Sequence, residues 1–376
     1  MAGLGVAVHV DGEHDDELST ASFIEVYESM GEVTTYRIQC AVEPGEGDLP
    51  LLHAGKLDPG SELAIFADAA DGTHCLVKGP VHGQRIVLRH GVTGSTVDVH
   101  GSDTSIALDR EAKVAIWDTG TDSDAVRAIL DSSDLEYEHD IDDTTGAYSE
   151  EKHTLVQCQS DLQFIQRRAR LNGFLFWVSC DAEGVETAHF RRPPLDGDGG
   201  GDSLLGGLAS ALPIAGSAAP AALVINLDGA NLQEMEIAWD VERPTRVTAQ
   251  QLDLNTKGDL DGSVLETPQT VLGDLGLGDI ASDARSITLA APADDVGALT
   301  SRAEGAAIEA DWFIRATCET SVHALGSIVR AHTLVEVRGA GPRHSGQYFV
   351  SGVRHLIDAD AHRMQIELVR NGWGET

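Results

Sequence analysis

Short segments in which apolar and polar residues alternate dominate residues 33–118. Gly, Pro and Asp separate these segments, which read TTYRIQCAV, SELAIFAD, HCLVKGPV, RIVLRHGV and STVDVHGSD. Alternation with a period of two places every second side chain on one face of a strand, and turns at this spacing favour a β-barrel or sandwich over an α/β sheet. The pattern returns near the end of the chain, in TLVEVRGAG, SGQYFVSGVRHLI and AHRMQIELVRNG.

The middle of the chain predicts a smaller α+β part. Residues 123–130 are expected to form a short helix, and a longer helix should begin at Ser160 and end at Gly173. A third helix is predicted at 294–313, where alanines and Leu299 share one face. No internal repeat has a convincing period. The predicted fold is therefore mainly β with a smaller α+β part.

Three arginines lie in the last turns of the predicted helix that starts at Ser160, at positions 167, 168 and 170. Positive charge there complements the negative end of the helix dipole, whereas anion sites form at the N-terminal end of helices. We therefore interpret the arginines as a solvated basic face and not as a phosphate site.

The distribution of these patterns divides the chain into five parts. They are an N-terminal β-barrel-like domain (1–118), an α+β domain (119–195), an insert rich in Gly, Ala and Ser (196–224), a segment of strands, loops and a helix (225–314) and a C-terminal β-barrel-like domain (315–376). Within the insert, residues 197–222 are expected to form an exposed, poorly ordered excursion, because small residues bury too little apolar surface to offset chain entropy.

The chain is strongly acidic, with 61 Asp and Glu against 26 Lys and Arg and a formal net charge of -35. This charge argues against direct binding to nucleic acid or to an anionic membrane. The segment from residue 315 to residue 370 differs, because its seven arginines outnumber its five acids. A local charge of +2 would suit a packed interface.

The five cysteines are scattered, and none forms a C-x-x-C pair; they are Cys40, Cys75, Cys158, Cys180 and Cys318. An odd, dispersed set in a long chain indicates reduced, mostly buried thiols. The first twenty residues are acidic and do not resemble a signal peptide. Synthesis in the cytoplasm is the expectation.

Common catalytic motifs are absent: there is no G-x-S-x-G, no H-E-x-x-H, no P-loop and no Rossmann glycine pattern. His14 lies in an acidic run, and His355 and His362 flank two aspartates, but a mobile terminus and a hairpin turn explain these groups more simply. LDLNTKGDLDG (252–262) lacks the closing Glu of an EF-hand loop. We therefore predict no catalytic residue, no cofactor and no metal site. A carbohydrate-active or proteolytic enzyme and an acidic adhesin or binding module remain as alternatives.

Four segments in a fixed order carry a family resemblance. They are VHGSDTSIALDREAKVAIWDTGTDSDAVRAIL, HTLVQCQSDLQFIQRRARLNGFLFWV, LDGANLQEMEIAWDVERPTRVTAQ and GAGPRHSGQYFVSGVRHLIDADAHRMQIELVRNG. Together they resemble the phage late control protein D family, the baseplate hubs of contractile tails and injection systems, and are similar to the N-terminal half of VgrG spikes. The matching points include Gly101 and Asp103, the helix that ends at Gly173, and the run from Ser345 to Gly372.

The resemblance implies a structural protein and not an enzyme. Family members form a trimeric ring in which two barrel-like domains from each chain join a six-fold tail tube to a three-fold spike. The implied partners are two further copies of the chain, a tube protein, a spike and baseplate wedge proteins, all within a phage tail or injection particle. Because the chain stops soon after its Arg-Asn-Gly motif, the spike is expected to be a separate polypeptide.

The C-terminal strands supply the predicted oligomer interface. Apolar residues alternate along these strands, so one face of their sheet must be covered. The residues assigned to the interface are Tyr348, Val350, Val353, Met364, Ile366 and Leu368.

Overall fold

The protein is described by a computed structural model. It covers residues 5–43, 49–53, 55–90, 93–150, 154–195, 220–252, 257–264, 266–281, 283, 285–289 and 296–374.

The N-terminal part is a β-sheet of seven strands with one short helix. The strands are β1 (Val6–Val10), β2 (Glu13–His14), β3 (Phe23–Ser29), β4 (Thr35–Val42), β5 (Glu62–Ala69), β6 (Gly72–Val87) and β7 (Ser95–Ser102), and helix α1 (Pro50–His53) lies between β4 and β5. Their order in the sheet is β2-β1-β5-β6-β7-β4-β3. Alternate residues such as Ile24, Val26 and Ile38 are buried in a core of their own, which confirms the predicted β pattern. The predicted segment HCLVKGPV and the first three residues of RIVLRHGV belong to the single long strand β6.

The α+β part packs two helices on short strands. Its elements are β8 (Ala112–Trp117), β9 (Gly120–Thr121), α2 (Asp122–Ser132), β10 (Glu138–Ile141), β11 (Ala147–Tyr148), β12 (Leu155–Ser160), α3 (Asp161–Asn172), β13 (Leu175–Cys180) and β14 (Glu186–Arg191). β8 pairs with β12, so this part starts nearer to residue 112 than to the predicted 119. Helix α3 begins and ends as predicted, because the Ser160 side chain accepts the N–H of Gln163 and Gly173 takes the left-handed conformation with φ 68°.

The interpretation of the arginine cluster is wrong for one of its members. Arg167 and Arg170 are exposed, but Arg168 is buried. Its guanidinium lies 5.5 Å from the ring centre of Phe164 and 3.6 Å from a carboxylate oxygen of Asp122. Arg168 therefore acts together with Arg302, which lies 3.0 Å from the same carboxylate, to neutralise the buried Asp122.

The C-terminal part is a second half-sheet that contains an excursion. Its first two strands are β15 (Ala221–Val224) and β16 (Met235–Trp239). The segment called the excursion from here on follows them and consists of β17 (Arg246–Leu252), β18 (Asp259–Asp261), β19 (Leu275–Gly276), α4 (Leu277–Ile280), β20 (Ser286–Leu289) and α5 (Val296–Asp311). The remaining elements are β21 (Ile314–Ser321), α6 (Val322–Leu325), β22 (Leu334–Arg338), β23 (Gly346–Asp358), β24 (His362–Arg370) and β25 (Gly372–Trp373). Of the predicted insert at 196–224, residues 196–219 lie outside the described residues, and Ala221–Val224 belong to the sheet.

The two half-sheets are continuous and have the same topology. β3 pairs with β23, which joins the halves into one sheet of thirteen strands. Within the first half the neighbours run β1-β5-β6-β7-β4-β3, and within the second half β15-β22-β23-β24-β21-β16. The chain visits the equivalent strands in the same order, with a short helix before β5 and before β22. The structure thus contains a duplication that no repeat in the sequence indicated, although the family resemblance implied two barrel-like domains in each chain. The first strands differ, since β1 is antiparallel to β5 while β15 is parallel to β22.

Candidate assembly surface

The six residues predicted to form an oligomer interface lie in the core of the C-terminal half. Their side chains are at most 1% exposed in the single chain, so this assignment is corrected. Val350 lies opposite Leu368 and Val353 lies opposite Ile366 on neighbouring strands, and all point to the same interior. Alternation identified the apolar face correctly, but that face is covered by the chain itself.

The junction between the two half-sheets is held by strand pairing and by a charged pair on its polar face. Gly352–Asp358 of β23 pairs with Phe23–Ser29 of β3 in antiparallel register. The Arg354 guanidinium donates to the Glu25 carboxylate and lies 4.6 Å from the ring centre of Tyr27. This contact brings together residues that are more than three hundred positions apart in the sequence.

A buried carboxylate ties the same junction together from the other face of the sheet. Glu28 accepts hydrogen bonds from Arg330 Nε at 2.6 Å and from the Ala331 N–H at 3.0 Å. Arg330 also donates to the carbonyls of Cys75 and Leu76 in β6. Burial alone would raise the pKa of Glu28, but the charge of Arg330 and the contact of His355 Nε2, 3.4 Å from the carboxylate, outweigh burial and lower the pKa to about 2. The carboxylate therefore stays charged and bonded.

Two groups of aromatic rings lie beside this carboxylate, one edge-to-face and one stacked. His355 Nδ1 lies 3.1 Å from His362 Nε2, and neither side chain is more than 5% exposed. On the other side, Trp177 is stacked between His332 and His189, with ring centres 4.3 and 4.4 Å away. Burial lowers the pKa of His355, and it lowers the pKa values of His332 and His362 to about 3. His332, His355 and His362 are therefore packed as neutral groups where the two half-sheets meet the α+β part.

The groups that the sequence raised as metal candidates have structural contacts. Asp358 Oδ1 accepts the N–H groups of Asp360 and Ala361, which confirms that HLIDADAH contains a hairpin turn. His14 lies 3.2 Å from Asp16 at the surface. Among the described residues, no three His, Cys, Asp or Glu side chains form a group that could hold a metal ion. Part of the loop LDLNTKGDLDG, residues 253–256, lies outside the described residues.

The Gly101 and Asp103 motif shapes the sheet and has no access to solvent. A Cβ at Gly101 would lie 2.0 Å from the Tyr36 ring. Asp103 accepts the Thr34 N–H at 2.6 Å and the Ser105 N–H at 3.0 Å, and burial raises its pKa to about 6. The cavity beside it measures about 10 Å³, which is too small for a substrate. This carboxyl caps a turn.

The terminal Arg-Asn-Gly motif anchors the excursion. Arg370 is fully buried, its guanidinium donates to the Leu272 carbonyl at 2.6 Å, and it lies 5.1 Å from the ring centre of Tyr348. Asn371 accepts the Leu272 N–H at 2.8 Å and donates to Asp311 at 3.0 Å. The motif therefore fixes β25 and α5 against the second half-sheet.

The prediction of five reduced cysteines is wrong for one pair. Cys75 in β6 and Cys180 in β13 form a disulfide with a Cα–Cα distance of 5.5 Å. Cys40 and Cys318 are buried free thiols, and Cys158 is exposed. The two bonded residues are 105 positions apart, so only the packing of β13 against β6 reveals the bond between the first half-sheet and the α+β part.

The solvent-facing side of the second half-sheet forms a wide, acidic groove. Its volume is about 810 Å³, and Glu234, Glu236, Glu319 and Glu367 line it together with one arginine, Arg363. Charged and amide side chains also face outward from the first half-sheet, where Asp98 accepts hydrogen bonds from Arg37 and Gln39. This face of the continuous sheet thus carries charged and amide side chains in both halves.

A family model describes more than half of the chain. Residues 2–205 match the model of the Alg8 N-terminal domain. The chain belongs to the Alg8 N-terminal domain family. This family is not the late control protein D family that the sequence motifs resemble. Membership of the late control protein D family stays a prediction. No curated protein matches the sequence.

Several solved structures superpose on nearly the whole length of this chain. A tail protein of Neisseria meningitidis superposes with a TM-score of 0.63 at 15% identity, over 97% of this chain and 96% of the other. The 43 kDa tail protein of prophage MuSo2 from Shewanella oneidensis gives 0.60 at 12% identity, over 97% and 98%. An E. coli component of the type VI secretion system gives 0.59 at 13% identity, over 98% and 79%. These similarities show the fold, which is mainly β as predicted.

Among the described residues, no helix is long and apolar enough to cross a membrane.

Proposed function

We propose that this chain is a structural hub of a contractile tail or contractile injection particle. Three copies form a ring that joins a six-fold tail tube to a three-fold spike. The observation that carries this proposal is the duplicated half-sheet, because three chains with two similar halves each present six similar units around one axis. The near-complete superposition on phage tail proteins and on a type VI secretion component supports the same role.

The electrostatics of the sheet support a ring with a hydrated passage. The polar face carries the acidic groove, whereas the opposite face of each half-sheet packs on its own core. In a closed ring the polar face lines the passage, and the α+β part with its Arg168–Asp122 pair lies at the periphery. The proposed partners are a tube protein, a spike and baseplate wedge proteins.

The alternative of a β-based hydrolase gains no support from the described carboxyls. Burial raises the pKa values of Asp103 and Asp311 to about 6, but both side chains are at most 4% exposed and hydrogen-bonded to neighbouring residues. Catalytic acids need a raised pKa together with access to a substrate. The proposal therefore assigns no catalytic residue and no cofactor.

A density map of the assembled particle tests the proposal. We expect three copies of this chain at the junction between tube and spike, each contributing both half-sheets to one continuous ring. Particles isolated from a strain that lacks the chain should be missing this junction. A map with six copies, or with the chain anywhere other than at the junction, would contradict the proposal.

A further inference from the structure

The two half-sheets repeat one another in residue detail. The long central strand of each half carries the motif V-x-G-x-R, at residues 81–85 in β6 and at residues 350–354 in β23. In both strands the register against the following strand shifts inside this motif, after Val81 and after Val350. The same irregularity at the same motif aligns residue 81 with residue 350.

The turns that precede β5 in the first half and β22 in the second half give the same alignment. Gly60 and His332 both have positive φ, 94° and 65°. Their backbone N–H groups donate to the carbonyls of Val81 and Val350 at 2.9 and 3.0 Å. A positive φ is uncommon for a residue other than glycine, so its recurrence at His332 marks an equivalent position.

Counting across the strands extends the alignment to the outer edge of each half. Gly83 lies in one row with His100, Arg37 and Glu25. Gly352 lies in the corresponding row with Glu367, Thr317 and Glu236. Glu25 of β3 is thus equivalent to Glu236 of β16, and the local sequences Ile-Glu-Val and Met-Glu-Ile agree.

The edge of β23 is paired with β3 within the chain, whereas the equivalent edge of β6 is open among the described residues. β23 pairs with β3, but among the described residues no strand pairs with the outer edge of β16 or with the equivalent edge of β6 beyond Gly83. Large apolar side chains are exposed at these two open edges: Ile86 is 41%, Leu88 62% and Trp239 52% exposed. Open strand edges with exposed apolar side chains favour pairing with another chain.

We propose that the open edge of β6 in one copy of this chain pairs with β16 of the next copy, antiparallel and in the register that β23 and β3 use within a chain. The proposal rests on the proposed ring, and it names the contact that closes it. Transfer of the register places Arg85 opposite Ala238, Ile86 opposite Ile237, Val87 opposite Glu236, Leu88 opposite Met235 and Arg89 opposite Glu234.

The side chains at the two edges are complementary in this register. Ile86 and Leu88 meet Ile237 and Met235 on the core-facing side, which removes their apolar surface from water. On the polar side, Arg85 is equivalent to Arg354 and meets the equivalent of Glu25, namely Glu236. Arg85 and Glu236 are both exposed and form no ion pair among the described residues. The contact therefore repeats the Arg354–Glu25 pair between copies.

Cysteine cross-linking of the full chain in its own host tests the register. The Cys158→Ser background removes the exposed thiol. Arg85→Cys combined with Ala238→Cys should give disulfide-linked multimers, because directly opposed Cβ atoms on antiparallel strands lie about 4.5–5.5 Å apart. Arg85→Cys with Ile237→Cys is the matched control, since a shift by one residue turns one thiol to the other face. Tyr27→Cys with Arg354→Cys, the equivalent pair inside one chain, should give an intramolecular disulfide.

Charge reversal provides a second measurement. Arg85→Glu should weaken association of the chain several-fold, and Arg85→Glu combined with Glu236→Arg should restore it. Arg110→Glu changes an exposed arginine away from both edges and should have no effect.

The outcomes separate this contact from the proposed function. Multimers from the in-register pair alone support the strand pairing. Particles that contain the chain, with the intramolecular control formed but no multimers, overturn the strand pairing and leave the hub proposal intact. Multimers in a chain that never enters a tube-containing particle support the pairing and overturn the hub proposal. If the chain forms no multimers and never enters a tube-containing particle, the strand pairing and the hub proposal are both overturned.

Discussion

At the scale of single residues, the junction of the three parts is built from side chains whose charge state depends on burial. Glu28 and Arg330 form a charged, hydrogen-bonded centre, and the histidines around it are neutral. His362 is the simplest of these to test, because its pKa is lowered by burial and then by His355. A neutral buried ring that must take up a proton opposes the folded state.

Acid should therefore weaken the fold through these histidines. The pKa of His362 is about 3 in the folded chain against an ordinary value of 6.5, so its contribution to stability is complete above pH 6.5 and is lost as the pH falls toward 3. The loss is about 1.4 kcal/mol per pH unit, or about 2 kcal/mol at pH 5. We expect His362→Asn, which cannot take up this proton, to lose that much less stability than the wild type between pH 7 and pH 5. Urea denaturation at the two pH values measures the difference.

The control is Gln233→Asn, a change at an exposed residue that takes up no proton, and it should leave the pH dependence unchanged. The comparison between variants matters because Asp103 and Asp311 act with the opposite sign: their raised pKa values make the folded state gain stability as the pH falls from about 6 to 3.8. Equal losses in wild type and His362→Asn would show that the His355–His362 pair is not a protonation site.

Residue patterns also show how far the sequence alone could reach. The alternation of Met364, Ile366 and Leu368 correctly predicted a buried face, and Ser160 and Gly173 correctly predicted the ends of α3. Local patterns report which side chains avoid water and where a helix stops. They do not report what covers the apolar face, so core residues were assigned to an interface.

At the scale of elements, the decisive contacts join strands that are far apart in sequence. β3 and β23 pair across more than three hundred residues, and no local preference encodes that partner. The duplication escaped notice because a long α+β part and an excursion separate the halves, and few residues recur in both. The V-x-G-x-R motif is short enough to recur by chance in a sequence, and only its position at a register shift in both β6 and β23 identifies it as a repeat.

The disulfide links two such elements, and its contribution can be measured. Because Cys75 and Cys180 close a segment of 105 residues, their replacement should cost about 2–5 kcal/mol of unfolding free energy. We expect three titratable thiols in the denatured, unreduced protein and five after reduction. The double variant Cys75→Ser/Cys180→Ser should unfold at lower denaturant concentration, whereas Cys158→Ser should match the wild type. Five thiols before reduction would rule out the bond.

At the scale of the whole molecule, a ring must bring strongly acidic bodies together. Each chain carries a formal charge of -35, and each contact of the proposed ring would add the pairs Arg85–Glu236 and Arg89–Glu234. Exposed ion pairs contribute about 0–1 kcal/mol each. Repulsion between the net charges acts over about 10 Å at 0.1 M salt and shrinks as salt is added. Repulsion should therefore dominate the salt dependence.

Association of the purified chain should consequently strengthen as sodium chloride rises from about 0.05 to about 0.5 M, where the Debye length shortens several-fold. Sedimentation velocity at constant protein concentration measures the fraction of associated chain. The variant Arg85→Glu/Glu236→Arg has the same net charge as the wild type, so it should follow the same salt curve, while Arg85→Glu alone should lie below it at every salt concentration. If association instead weakened with salt in the wild type, contact ion pairs would outweigh the net charge, and the apolar edge of Ile86 and Leu88 would not be the main source of affinity between copies.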